Sequence, residues 1–360
     1  WVGRITYNWK ERYLMEMNAA YTGSEKFAPG KRFGFFPSFS VGWRISEEPF
    51  LKKMQESWLT NLKVRYSYGE VGSDKGAPRF NYIQLFESGG NVTFGKNQNV
   101  SFGPLYTEGS LAYHDATWET AVKQNLGIEM TLFRKLLASI DLFKEDRTGI
   151  LMSRNSSAPW MGTGLPSVNI GKTKNHGLEL ELGWNDKVGK NFSYFAKFNF
   201  STSENRVVFK DDPNRLDDYL KAAGKPIGYV NKYLVSGNFG SIDDIFNYTQ
   251  SGITNGSQNK LIPGDLIYLD YNGDGVINEK DMAPVANLNY PLTTYGLTLG
   301  INYKGFGINA LFYAATGVYK EQISDYLWDF PKGNIKAQPD TQIRWTIADV
   351  NASGMIRPSV

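Results

Sequence analysis

The stretch Asn191-Phe-Ser-Tyr-Phe-Ala-Lys-Phe-Asn-Phe-Ser201 decides the reading of this chain. Phe192, Tyr194, Ala196, Phe198 and Phe200 share one face of an extended backbone, and Ser193, Lys197, Asn199 and Ser201 share the other, with Phe195 as the exception. A period of two marks a β-strand with one apolar and one polar face. The pattern recurs on either side. Leu178, Leu180, Leu182 and Trp184 oppose Glu179, Glu181 and Gly183, and Leu62, Val64, Tyr66 and Tyr68 oppose Lys63, Arg65, Ser67 and Gly69. Leu126, Ile128, Met130 and Leu132 oppose Asn125, Glu129 and Thr131, and Tyr295, Leu297, Leu299, Ile301 and Tyr303 oppose Gly296, Thr298, Gly300 and Asn302. With similar runs at 2–9, 12–22, 34–46, 136–151 and 306–316, the sequence predicts about ten strands.

Alternation alone fits two folds. In a β-sandwich the apolar face is the core; in an outer-membrane barrel it meets lipid. The connections favour the barrel. Short turns fall near Lys10–Glu11, Arg134–Lys135, Asp186–Lys190 and Lys304–Gly305, and long connections at 23–33, 73–117, 152–167 and 207–291. The remaining connection, 47–58, is intermediate and holds a possible helical turn, Glu48–Gln55. Short and long alternate, as on the two rims of a membrane barrel, and a sandwich has no reason to keep that parity. Aromatic residues at strand ends, such as Tyr7, Trp9, Tyr13, Tyr303 and Phe306, suit a membrane–water boundary.

Composition excludes several classes. Of 360 residues, 41% are hydrophobic and 21% charged, too apolar for a disordered chain and too polar for a helical membrane protein. No apolar run approaches the roughly 18 residues of a spanning helix. Thirty-nine basic against 36 acidic residues, a net charge of +3, argue for no nucleic-acid partner. With no cysteine there is no disulfide or thiolate site, and His114 and His176 are too few for a multi-histidine zinc centre. No phosphate-cradling loop, nucleophile elbow or dinucleotide fingerprint is present, so an enzyme is not expected. The acidic pairs Asp211–Asp212, Asp217–Asp218 and Asp243–Asp244 read as solvated turns rather than glycosidase carboxylates. The chain opens at Trp1 without an initiator methionine or signal peptide, and is expected to be an interior fragment.

One segment carries chemistry. In Asp270-Tyr-Asn272-Gly-Asp274-Gly275-Val276-Ile277-Asn278-Glu-Lys-Asp281, oxygen side chains stand at positions one, three, five, nine and twelve, with glycine at six. That is the spacing of a calcium loop. Asp270, Asn272, Asp274, Asn278, Asp281 and the Val276 carbonyl are the candidate ligands of a structural Ca2+, although Asp281 is shorter than the usual glutamate. The alternative is a cluster of Asx turns. The loop lies in the 207–291 connection, expected to be an extracellular insertion. Trp160, in the 152–167 connection, could stack on a sugar or simply pack that loop.

Together these passages resemble the SusC/RagA family of TonB-dependent outer-membrane transporters of Bacteroidetes-type bacteria. The likeness rests on Gly3-Arg-Ile-Thr-Tyr-Asn-Trp-Lys-Glu-Arg-Tyr-Leu14 and on Gly34-Phe-Phe-Pro-Ser-Phe-Ser-Val-Gly-Trp-Arg-Ile-Ser-Glu47. It continues with Trp58-Leu-Thr-Asn-Leu-Lys-Val-Arg-Tyr-Ser-Tyr-Gly69, with Trp118-Glu-Thr, with Asn175-His-Gly-Leu-Glu179 and with Gly264-Asp265 running into the acidic loop. The resemblance implies an all-β, antiparallel transmembrane β-barrel of roughly 22 strands, of which residues 1–360 supply about ten. It implies an N-terminal plug, absent from this chain, through which a TonB complex acts. It also implies a SusD-like surface lipoprotein as lid, and oligosaccharides or peptides as cargo for nutrient uptake. The alternative from another class is a secreted, calcium-stabilised β-rich binding or adhesin module.

Overall fold

The computed structural model describes residues 1–55, 57–94, 100–154, 164–213, 217–248, 250–251, 261–287 and 290–319. The strands in chain order begin with β1 (Val2–Trp9), β2 (Tyr13–Gly23), β3 (Phe33–Arg44) and β4 (Leu59–Ser73). A separate hairpin follows, β5 (Phe86–Phe94) with β6 (Val100–Glu108). Next come β7 (Glu119–Leu132), β8 (Leu136–Met152), β9 (Val168–Val188) and β10 (Phe192–Phe209). Six short strands, β11 (Tyr229–Tyr233), β12 (Val235–Asn238), β13 (Gln250–Ser251), β14 (Leu266–Tyr268), β15 (Val276–Ile277) and β16 (Met282–Asn287), precede β17 (Thr293–Tyr303) and β18 (Phe306–Thr316). One antiparallel ten-stranded sheet runs β1-β2-β3-β4-β7-β8-β9-β10-β17-β18. The expected runs match it strand for strand. A 3-10 turn, Ile45–Glu47, leads into the 47–58 connection, which carries a short helix, Lys52–Gln55, the second half of the expected Glu48–Gln55.

Register settles which face is which. Tyr13 pairs with Trp43, Met15 with Val41 and Met17 with Phe39, so these side chains lie on one face. All six are more than a third exposed. Between them Leu14, Glu16 and Asn18 pair with Gly42, Ser40 and Ser38 on the other face, where burial is greater. A hollow of ≈ 560 Å³, lined in part by Glu16, Ser40, Lys63 and Arg65, opens there. Side chains crowd together on a concave face and splay apart on a convex one, so the polar face is the concave one. The apolar face has no covering layer: among the described residues the sheet contributes only Leu59 and Ala121 to the buried apolar set. A sandwich would bury Val41, Leu126 and Leu142; here they are exposed, and lipid is the solvent that suits them. The soluble-module alternative falls on this observation.

Every tight turn lies at one end of the sheet. Lys10 and Glu11 have φ of 51° and 55°, Phe133 and Arg134 of 54° and 59°, and Lys304 and Gly305 of 47° and 91°. Two successive positive φ values give the mirror-image turn that matches strand twist. Glycine or asparagine normally fills it, and other residues cost about 1 kcal/mol each there.

A second compact unit is centred on Gly228–Tyr290. It has its own small core of Phe239, Ile245, Ile277 and Ala283. Ser241 caps its helix Ile242–Phe246 in a reciprocal box with Asp244, and Phe239 packs edge-on against Tyr248 at 5.0 Å.

Burying a charge in lipid separates the two faces of the sheet. Leu126→Arg, on the convex face, is expected to destabilise the folded protein in vesicles by about 2–4 kcal/mol. Ser201→Arg, on the concave face opposite Glu179, is expected to change stability little. Denaturant titration in lipid measures both, and equal costs would contradict the assignment of faces.

Candidate functional site

Two candidate sites stand out, the charged concave face of the sheet and the acidic loop. On the concave face, Arg65 donates to Glu129 at 2.8 Å, to Asn125 at 3.3 Å and to Asp141 at 2.6 Å. Lys63 adds a second cation, 3.4 Å from Glu129, and Ser139 donates to the other Asp141 oxygen at 3.3 Å. Strand β7 lies between Arg65 on β4 and Asp141 on β8. The residue of β7 directly opposite both is Gly127. A Cβ there would come within 2.7 Å of the guanidinium. Gly127 is therefore the gap across which Arg65 reaches a carboxylate two strands away. A second cluster lies nearer the other rim: Arg147 holds Glu119 at 2.7 Å and Glu145 at 2.8 Å, and Lys123 lies 3.3 Å from Glu145.

Of the charges that the alternation placed on this face, Lys63, Arg65 and Glu129 meet in one network. Glu179 and Glu181 share the face, through register with Asp141 and Ser139, but stay exposed and outside it. Asn125 joins that network from the same alternating run as Glu129, whereas Asp141 was missed; its place two residues from Ser139 in an alternating run was the available signal.

In the acidic loop, Gly273 and Gly275 have φ of 73° and 82° and turn the chain back. The Asp270 carboxylate accepts the amides of Gly273 and Gly275, each at 2.8 Å. Asn272 Oδ1 accepts the Asp274 amide at 3.0 Å, and Asp274 accepts the Val276 amide at 2.9 Å. Asp281 is fully buried. Its two oxygens accept from Tyr271 at 2.9 Å and from Asn278 at 2.8 Å. Asn278 bonds the Val276 carbonyl at 3.3 Å and the Lys280 amide at 2.9 Å. Tyr219 donates to the Lys280 carbonyl and packs edge-on against Tyr271 at 5.0 Å. The loop is thus closed by Asx-type bonds. The donor set is the hard oxygen that calcium prefers, yet among the described residues no three acids converge as a metal cluster. The fit is one of chemistry and spacing, with the carboxylates still turned to backbone amides.

Other candidates have structural tasks. Asp212 accepts the Ala222 amide at 2.9 Å, Asp218 pairs with Lys221 at 2.6 Å and Asp244 caps its helix. Trp160 lies outside the described residues.

Three outcomes are expected. Asp141→Asn should leave Arg65 with one ionised partner and cost on the order of 1 kcal/mol, less in high salt, since the pair is partly exposed. Gly127→Ala should push Arg65 aside and cost a similar amount, with no additional loss in the double variant; additive losses would show that Gly127 is not the gap. In the loop, the Asn272 side chain, then the Val276 amide, hold the Asp274 carboxyl below the usual carboxylate range. A depressed pKa stabilises above the unfolded value and is lost as pH falls through the folded one. Hydrogen exchange at Val276 should therefore stay slow at neutral pH and quicken, beyond its intrinsic rate, below about pH 4.

The comparisons with known proteins agree with this geometry. Residues 3–311 match the family model described as TonB dependent receptor-like, beta-barrel. TonB-dependent receptor P39 of Formosa agariphila is 29% identical over 86% of this chain and 32% of its own length. TonB-dependent receptor SusC of Bacteroides thetaiotaomicron is 26% identical over 84% of this chain and 30% of its own. The chain thus spans about a third of the length of the curated relatives it matches. The solved RagAB peptide transporter superposes with a TM-score of 0.68 over 99% of this chain and 38% of that one, at 17% identity, a likeness of fold. The chain belongs to the TonB-dependent receptor β-barrel family, and its ten-stranded sheet is part of an outer-membrane barrel.

Proposed function

We propose that this chain is the strand arc and surface-loop portion of a TonB-dependent nutrient importer, with a SusD-like lipoprotein as lid and oligosaccharides or peptides as cargo. The observation that carries the reading is the two-faced sheet: an apolar face without a covering layer, and a concave face lined by Lys63, Arg65, Glu129 and Asp141. A water-filled or plugged lumen gives those charges partners that lipid cannot. Membership of the TonB-dependent receptor family supports a role in import. The resemblance to the SusC/RagA family supplies the expectation of a lipoprotein partner, and the solved RagAB peptide transporter that of peptides. The long connections, including 207–291, then face outward and meet cargo. The importer does no covalent chemistry: binding by loops and lid, followed by plug movement driven through TonB, suffices.

We also propose that the acidic loop takes calcium. Asp270, Asn272, Asp274, Asn278, Asp281 and the Val276 carbonyl would hold the ion, which supplies charge that cross-links a surface loop. Support comes from the spacing, the hard-oxygen set and the turn already formed by Gly273 and Gly275.

Deleting the full-length receptor gene should abolish uptake of one class, labelled oligosaccharides or peptides, as should removal of TonB function. Unchanged uptake of both would overturn the importer reading. For the loop, calcium at about a hundredfold over its dissociation constant should stabilise by about 2.7 kcal/mol, and Asp274→Ala should remove that gain. A calcium titration with neither heat nor a shifted melting curve counts against the site.

A further inference from the structure

The tight turns share a feature that neither import nor the loop explains. Each carries a cation without a carboxylate partner. At this rim Glu11 is taken by Arg44 at 3.5 Å, Glu48 by Arg12 at 3.6 Å and Asp186 by Lys135 at 2.9 Å. Lys10, Arg134, Lys187, Lys190 and Lys304 remain, at least one in each tight turn, and among the described residues none pairs with an acid. Three of them, Lys10, Arg134 and Lys304, occupy left-handed backbone positions, with φ of 51°, 59° and 47°. Asparagine or glycine would be less strained there. A charge held at a conformational cost calls for a use.

The second observation is what adjoins them. Trp9, Phe133, Tyr303 and Phe306 are 46%, 55%, 51% and 81% exposed. Lys10 Nζ lies 5.0 Å above the Trp9 ring and Lys304 Nζ 5.5 Å above Tyr303. An exposed ring followed by a cation at the strand tip is the order met on leaving a bilayer, acyl region first and headgroup next.

We propose that this rim is a docking surface for anionic phospholipids of the periplasmic leaflet, with Lys10, Arg134, Lys190 and Lys304 meeting headgroup phosphates and the adjoining rings lying at the acyl boundary. The inference rests on the reading that short turns face the periplasm. It is independent of cargo, because its readout needs neither substrate nor TonB. Each cation near an anionic surface strengthens attachment by about fivefold.

The test uses the full-length receptor containing this chain, purified in neutral detergent. Phosphatidylglycerol is compared with phosphatidylcholine by native mass spectrometry of retained lipid. The variant combines Lys10→Asn, Arg134→Asn and Lys304→Asn. Asparagine suits these turns, so its melting point in phosphatidylcholine should equal or exceed the parent's. The parent should prefer phosphatidylglycerol, less so in high salt, and the variant should lose that preference by on the order of a hundredfold. A charge-retaining variant, Lys10→Arg with Arg134→Lys and Lys304→Arg, should keep it. The proposal falls if the parent retains both lipids equally, or if the asparagine variant keeps the preference. It also falls if inorganic phosphate displaces phosphatidylglycerol at matched concentration, which would mean a free-anion site.

Discussion

A backbone amide that leaves water for hydrocarbon must find an acceptor in its own chain, because lipid offers none. The ladder from β1 to β18 meets that demand strand by strand, with registers continuous in six of the nine pairs and shifted only near a strand end in the other three. Once the ladder is fixed, side chains have no choice of face. Met15 must point where Val41 and Tyr66 point, and Glu16 must point where Ser40 and Ser67 point. A slip of one residue would exchange lipid-facing and lumen-facing sets together. The two outer edges follow the same rule. β1 and β18 each have one strand partner among the described residues, and an open edge in lipid is untenable. Further strands must cover those edges.

That ladder also explains why charge on the concave face is placed as it is. Arg65 can bridge three strands only because position 127 has no side chain, and it can do so without burial because a lumen admits water. Its partners are partly exposed, Asp141 most buried at 14%, so the network orders the face more than it adds stability.

The strands were legible in sequence because their period is two and their faces differ in polarity. The parity of the connections was legible because four tight turns are short enough to be unmistakable. Other features were not. The hairpin of β5 and β6 lies inside the 73–117 connection, where Ser88-Gly-Gly-Asn91 breaks alternation; the ladder is irregular between Ser88 and Val92. Strand β9 extends back to Val168 through Lys172, Lys174 and His176, polar residues that period-two reading discounts. In the acidic loop, spacing alone cannot say whether a carboxylate faces an ion or a backbone amide. Asp281 holds amides at both oxygens, a fact of geometry that no sequence pattern encodes.

The two units also show why average composition says little about which medium a side chain meets. In the sheet, Leu142 is 48% exposed and Phe312 57%, and the solvent is lipid. Around Gly228–Tyr290, Ile277 and Phe239 are buried, and the solvent is water. The same residue types therefore obey opposite rules within one sequence. A mutation judged by burial alone would be misjudged in the sheet, where an exposed leucine is under as much constraint as a buried one elsewhere. The constraint is the transfer free energy of a side chain between the medium it meets and water, and in this chain that medium changes at the strand ends. The tight turns, with their strained cations, are one of the places where the chain passes from one solvent to the next.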